Sequence, residues 1–208
     1  MPSRSQFQVA IGIAAAVWAA MLFSQGVSLD ASYLRPYSFA VGAVILCFLA
    51  FEQWLWRVKP IARLVSRPVL RGTWKGQLMS SWIDPATGKQ ILPIDAFLVI
   101  RQTYSTISVS LVTAESASIS LVASLDAPRG AVTTVSATYR NSPRLLLQDR
   151  SRIHHGAVVL EVHESPTSRL TGAYWTDRDT KGELRFEGRS PRLHTDFAGA
   201  DTDTYMNA

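Results

Sequence analysis

The stretch YWTDRDTKG, Tyr174 to Gly182, runs two large aromatics into a burst of alternating charge closed by a glycine. Carboxylates such as Asp177, Asp179, Glu161 and Glu164 are the groups that act as general acid and base when a fold holds them close together. Their spacing does not require such an arrangement, and solvated surface positions account for them. Four histidines, His154, His155, His163 and His194, have neither partner cysteines nor an HExxH spacing, so no zinc motif is spelled out. Gly88-Lys89 in ATGKQ lacks the earlier glycine and the following Ser or Thr of a phosphate loop. No G-x-S-x-G elbow and no DNA-reading motif occurs. The chain therefore reads as non-enzymatic, with no catalytic residue, no metal and no cofactor.

A second grouping suits binding. Arg140, Arg144, Arg150 and Arg152 are opposed only by Asp149 and are followed by His154 and His155. A loop of this kind at the mouth of a barrel attracts an anionic ligand. Tyr139, Tyr174 and Trp175 offer faces on which bases stack. A solvated basic loop beside core aromatics explains the same residues, and both readings stand at this level.

The elements that would position these groups fall into two parts. The formal charge of +5 suggests nucleic acid at first sight. Residues 1–71, however, carry seven Lys/Arg against two Asp/Glu, whereas residues 72–208 carry fourteen of each. The basic excess sits beside N-terminal hydrophobic runs, a pattern of membrane topology and not of a DNA or RNA surface. No charge occurs from Ser5 to Leu29, and a second uncharged run extends from Pro36 to Phe51. About 20 helical residues cross a hydrocarbon core of about 30 Å. Spans over about 7–26 and 37–56 are expected, joined as an antiparallel hairpin, with Trp54 and Trp56 at the interface. Arg57, Lys59, Arg63, Arg67 and Arg71 follow the second span, which puts both termini in the cytoplasm. A cleaved signal peptide is the competing reading of the first run. Gly12, Ala16 and Ala20 share one helix face, as in helices that associate closely within a hairpin or between protomers, although alanine is also simply common in membrane helices and both readings stand. With one cysteine, Cys47, no disulfide within the chain is possible.

After Pro68 the pattern turns to alternation. Trp74, Gly76, Leu78, Ser80 and Trp82 fall on one strand face, Ile107, Val109 and Leu111 alternate with Ser and Thr, and Ile119, Leu121 and Ala123 do the same. Further runs lie near 95–102, 132–139, 157–163, 169–176 and 183–187. Turn chemistry separates them at Asp84-Pro85-Ala86-Thr87-Gly88, Asp126-Ala127-Pro128-Arg129-Gly130 and Asn141-Ser142-Pro143. About eight short sequential strands over 68–190 favour an antiparallel meander closed into a barrel, with a β-sandwich as the alternative. Such a barrel either fills with side chains or holds one small ligand. YWTDRDTKG becomes a strand end, a turn closed near Gly182 and a return strand through Leu184 and Phe186. The polar segment 191–208 has no periodicity and is expected to be disordered.

The two spans, GTWKGQLMSSW (Gly72 to Trp82), LVTAESASIS (Leu111 to Ser120), ATYRNSP (Ala137 to Pro143), HHGAVVL (His154 to Leu160) and LTGAYWTDRDTKGEL (Leu170 to Leu184) occur in this order. Together they resemble the membrane-anchored β-barrel effectors of bacterial CBASS anti-phage systems, the CD-NTase-associated proteins of type fifteen. The resemblance covers nearly the whole chain apart from the tail. It implies a partner CD-NTase that makes a cyclic dinucleotide on infection, and a barrel that binds this ligand in the cytoplasm without catalysis. It further implies a homo-oligomer whose spans disrupt the lipid of the inner membrane and kill the host cell. The ligand-binding set it points to is Tyr139, Asn141, Arg150, His155, Tyr174, Trp175, Thr176 and Arg178. The alternative is a membrane-tethered, lipocalin-like binder of lipids or small hydrophobic molecules.

Overall fold

The computed structural model describes residues 12, 15–16, 19–20, 23–24, 31–65, 67–84, 87–128, 131–163 and 167–206. The chain forms two compact units, Met1–Trp56 and Arg57–Ala208. In the first, helix α1 spans Ala31–Gln53 and overlaps the second expected span. Gly12, Ala16 and Ala20 are helical and exposed, while the rest of the first expected span lies largely outside the described residues. Among the described residues, no helix is long and apolar enough to cross a membrane.

The second unit begins with helix α2, Lys59–Val65, whose Pro60 sits in the first turn, where its missing N–H leaves no bond unmade. Eight strands follow: β1 Gly72–Ser80, β2 Ile94–Gln102, β3 Ile107–Thr113, β4 Ser116–Asp126, β5 Thr133–Pro143, β6 His154–His163, β7 Arg169–Thr176 and β8 Lys181–Ser190. Each pairs antiparallel with the next, and β8 returns to β1, so the sheet is a closed barrel and not a sandwich. Closure gives every strand a neighbour on both sides. Bulges at Trp74/Gly76 and Ser120/Val122 add the local bend that a small barrel needs.

The meander gives the barrel two distinct ends. At the end where β1 begins, Leu70, Trp74, Ile100, Leu160, Leu170 and Phe186 are fully buried and fill the interior. The segment leading into β1 closes this end by hydrogen bonds. Leu70 N donates to Gln102 Oε1 at 2.7 Å, Gln102 Nε2 to Pro68 O at 3.0 Å, and Trp74 Nε1 to Leu70 O at 2.9 Å. The Arg189 guanidinium donates to Val69 O and lies 5.6 Å from the centre of the Trp74 ring. The linker is thus part of the barrel unit, which accounts for a unit boundary at Trp56.

Before its bulge β4 reverses the apolar-inward habit, whereas beyond it Ala123 and Leu125 pack against the core. Ser116, Ser118 and Ser120 face the interior, while Ile119 and Leu121 are exposed at 59% and 62%. Alternation sets the period of a strand but not its phase, and here the interior needs hydroxyls and not methyls.

The expectation of a disordered tail is corrected for residues 191–206. Helix α3, Phe197–Asp201, is capped by Asp196, whose Oδ1 accepts from Gly199 N at 2.8 Å. Met206 bridges back to Arg189. The segment covers Phe97, an outward residue of β2 that is nonetheless fully buried, with Phe197 at 5.2 Å and Tyr205 at 5.7 Å between ring centres. Burying a Phe contributes about 1.5–3 kcal/mol. Asp203 holds the fold-back in place by accepting from Ser190 Oγ, from His194 Nε2 at 2.8 Å and from Arg192 NH1 at 3.2 Å. These donors, Ser190 foremost, hold its carboxyl well below the usual carboxylate range.

Candidate ligand-binding site

The end opposite the linker is open. A cavity of about 660 Å³ descends from it into the upper half of the barrel. Its size is within the range of pockets that take one small organic ligand. The turns β1–β2, β3–β4, β5–β6 and β7–β8 all meet there, since an up-and-down meander sends every second connection to the same end. Leu98, Val109, Ala137, Val158 and Leu184 form an apolar floor. Hydroxyls of Ser80, Ser116, Ser118, Ser120, Thr176 and Thr180 line the wall above, and Arg150 and Arg178 stand at the rim.

Two tyrosines occupy the middle level, and each lies over a glycine of the next strand. Tyr139 is paired with Gly156, and Tyr174 with Gly182. A Cβ on Gly156 would meet Tyr139 Oη at 2.5 Å, and one on Gly182 would meet Tyr174 Cε1 at 2.6 Å, so only glycine leaves room for these rings. Burial pushes both phenols up from their ordinary range. For Tyr139 the nearby Tyr174 and Asp177 add to this, and for Tyr174 a hydrogen bond with Ser80 works against it. Both remain neutral hydroxyls, able to donate as well as stack.

The YWTDRDTKG hairpin shapes one side of the rim. Thr176 N donates to Thr180 O at 2.9 Å, and the two threonine hydroxyls stand 2.7 Å apart. Asp179, at φ 57°, supplies the left-handed turn residue. Gly182, the expected closing residue, lies instead within β8 beneath Tyr174. Asp177 ties the turn to β6: its Oδ2 accepts from His155 N at 3.0 Å, and its own N donates to His155 O at 3.0 Å. That backbone bond lowers its carboxyl from the usual value. Asp177 thus anchors the turn to β6. Arg178 NH1 reaches Ser151 Oγ at 3.3 Å and Arg152 O at 3.4 Å, across to the β5–β6 loop.

Of the eight residues singled out from the sequence, Tyr139, Asn141, Arg150, Tyr174, Thr176 and Arg178 all line this cavity. His155 and Trp175 do not line it. Each sits between two inward neighbours, His154 and Gly156 in one case and Tyr174 and Thr176 in the other, so the period of two turns it outward. Both are exposed. His154, part of the basic grouping but left out of the ligand-binding set, is buried at 9% exposure and lines the cavity, with Nδ1 3.0 Å from Arg152 O. Also left out of that set were Ser118, whose Oγ donates to Asn141 Oδ1 at 3.0 Å, and Glu115 at the rim. The phase of a single residue would have found the first: once Tyr174 faces inward, register places Val158 opposite it, and His154 shares Val158's face. Among the described residues, no group of three or more His, Cys, Asp or Glu is arranged to hold a metal ion.

A closed barrel that is solid at one end and carries at the other a cavity walled by hydroxyls, with guanidinium groups at its rim, has the form of a small-ligand receptor. A family model described as the Cap15 cyclic dinucleotide receptor domain matches residues 65–188. That is more than half of the chain and spans the barrel almost to the end of β8, and the protein belongs to this family. The ligand class of the domain is the cyclic dinucleotide, as the motif resemblance implied. The chain is also 24% identical over 150 residues to CD-NTase-associated protein 15 of Staphylococcus schleiferi, covering 72% of this chain and 77% of that protein.

Proposed function

We propose that the protein is the membrane-anchored effector of a CBASS anti-phage system and that one barrel engulfs one cyclic dinucleotide. The observation that supports the reading most is the convergence of six candidate residues on one cavity, with aromatic rings below and guanidinium groups above. The two tyrosines suit the bases, and the apolar floor excludes water beneath them. Arg150 and Arg178 suit the phosphodiesters, because a guanidinium fork matches two phosphate oxygens at once. The hydroxyls of Ser118, Thr176 and Thr180 suit ribose and phosphate oxygens. No bond of the ligand need break, and the barrel acts as a receptor, not a catalyst.

The membrane part of the proposal rests on the uncharged runs Ser5 to Leu29 and Pro36 to Phe51 and on the basic residues behind them. They support a two-span hairpin, 1–67, in the inner membrane, with both termini cytoplasmic and the barrel 68–190 on the same side as its nucleotidyltransferase. Ligand binding would drive homo-oligomerisation, with Gly12, Ala16 and Ala20 as the close-packing face, and the assembled spans would disrupt the bilayer. A ligand drives assembly only to the extent that it binds the assembled form more tightly. The family match sets the lipocalin-like alternative aside.

The test is dye release from liposomes containing the full chain. Addition of the cognate cyclic dinucleotide should release dye, and addition of a linear dinucleotide should not. Release without ligand, or none with any ligand that calorimetry shows to bind, would refute the effector reading. A cytoplasmic reporter fused behind Ala208 should be active, and an active periplasmic reporter there would refute the topology.

A further inference from the structure

The two guanidinium groups at the rim are not equivalent. Arg178 meets neutral acceptors, Ser151 Oγ and Arg152 O. Arg150 meets a carboxylate: its NH2 lies 2.6 Å from Glu115 Oε2. Glu115 belongs to the two-residue β3–β4 turn, Arg150 to the β5–β6 loop, and both line the cavity. The ion pair therefore straps one side of the mouth to the next. The same two segments are also joined through the backbone, where Arg144 N donates to Glu115 O at 2.9 Å.

We propose that Glu115 sets the affinity of the site: it occupies Arg150 in the empty barrel, and a phosphate of the incoming ligand takes its place. The inference rests on the reading of the cavity as a cyclic dinucleotide site. Three features support it. The pair is solvated, with side chains 64% and 61% exposed, so it holds Arg150 without contributing much to stability and yields easily to a competitor. A phosphodiester offers the same bidentate acceptor geometry as a carboxylate. The backbone bond between Arg144 and Glu115 keeps turn and loop in register after the exchange, so only side chains need to move. Once displaced, Glu115 remains a like charge beside the bound phosphate and opposes it. The site thus holds its ligand less tightly than its two arginines would allow. A receptor whose output kills its cell gains from this, because low background levels of anionic metabolites leave it empty.

The experiment is calorimetry on the full chain in detergent, with cyclic di-AMP, cyclic di-GMP and cyclic AMP–GMP as probes. For each probe that wild type binds, E115Q should tighten binding about three- to tenfold, the scale of removing one like charge at a partly exposed site. E115D should restore wild-type affinity. In an R150A background the same E115Q change should give a smaller gain than in wild type, because the competition for Arg150 is gone and only the direct repulsion of the phosphate remains. The E115Q gain should also shrink at 0.5 M salt. Equal or weaker binding by E115Q, at an unchanged melting temperature, would overturn the proposal and leave the cyclic dinucleotide reading standing. So would an undiminished gain in R150A, which would mean that Glu115 does not act through Arg150. Wild type that binds none of the probes, nor any other cyclic dinucleotide, would overturn both.

Discussion

Removing the Arg178 side chain isolates the anionic part of recognition from the fold. Arg178 is exposed, and its guanidinium makes two long hydrogen bonds, 3.3 Å to Ser151 Oγ and 3.4 Å to Arg152 O. Losing such bonds at the surface changes stability by no more than about 0.5 kcal/mol. The hairpin keeps its shape, because its turn is held by Thr176, Thr180 and Asp177 through bonds that do not involve this side chain. A hydrogen bond to a charged group is worth about 1.5–3 kcal/mol. At about 1.4 kcal/mol per tenfold, R178A should weaken cyclic dinucleotide binding by about 10- to 150-fold with an unchanged melting temperature. R178K should fall between, since a point charge replaces a planar fork. Calorimetry and thermal melting on the same samples read both quantities. Affinity within twofold of wild type for R178A would refute the assignment of a phosphate to this rim.

Other outcomes follow from the same geometry. W175A and H155A should bind ligand within twofold of wild type, since both side chains point away from the cavity; a tenfold loss in either, at unchanged stability, would contradict the inward set. G156A should weaken binding and lower stability by about 1–3 kcal/mol, because its Cβ would press on the Tyr139 ring and on Trp175 O; an unchanged urea midpoint would count against that packing. The Asp203 carboxyl is held below its ordinary value of about 3.9, so its stabilising contribution is present above about pH 4 and is lost as pH falls from there towards its lowered native value. Wild type should therefore melt above D203N at pH 7, and the gap should narrow below pH 4. A gap that is constant with pH would show that the carboxylate charge is not what holds the tail.

The alternation of Trp74, Leu78 and Ser80, or of Val109 and Leu111, was enough to read strands, and short turns between them enough to read a meander. The inward set was legible as residue types but not as orientation. A strand pattern such as Ser118-Ile119-Ser120-Leu121 fits either face, and the polar cavity, a property of the assembled barrel, turned the serines inward. His154 and Trp175 were lost to the same ambiguity of phase. The tail was illegible for a different reason. A five-residue helix has no period to detect, and it is held by Phe97, Ser190 and Arg189, residues distant in sequence or in another strand. Glu115 lies inside LVTAESASIS, but nothing in that segment marks it as a cavity residue. Its partner lies 35 residues away, and only closure of the barrel brings the two together.

The central claim is that one barrel, by itself, encloses one cyclic dinucleotide. Calorimetric titration of the full chain in detergent against a panel of cyclic dinucleotides tests it most directly. The expected result is a stoichiometry of one ligand per chain for at least one member of the panel, abolished in the Y174A/R178A double variant while the melting temperature shows the barrel still folded. Binding at one ligand per two chains, or binding that survives the double variant, would place the ligand outside this cavity and contradict the account.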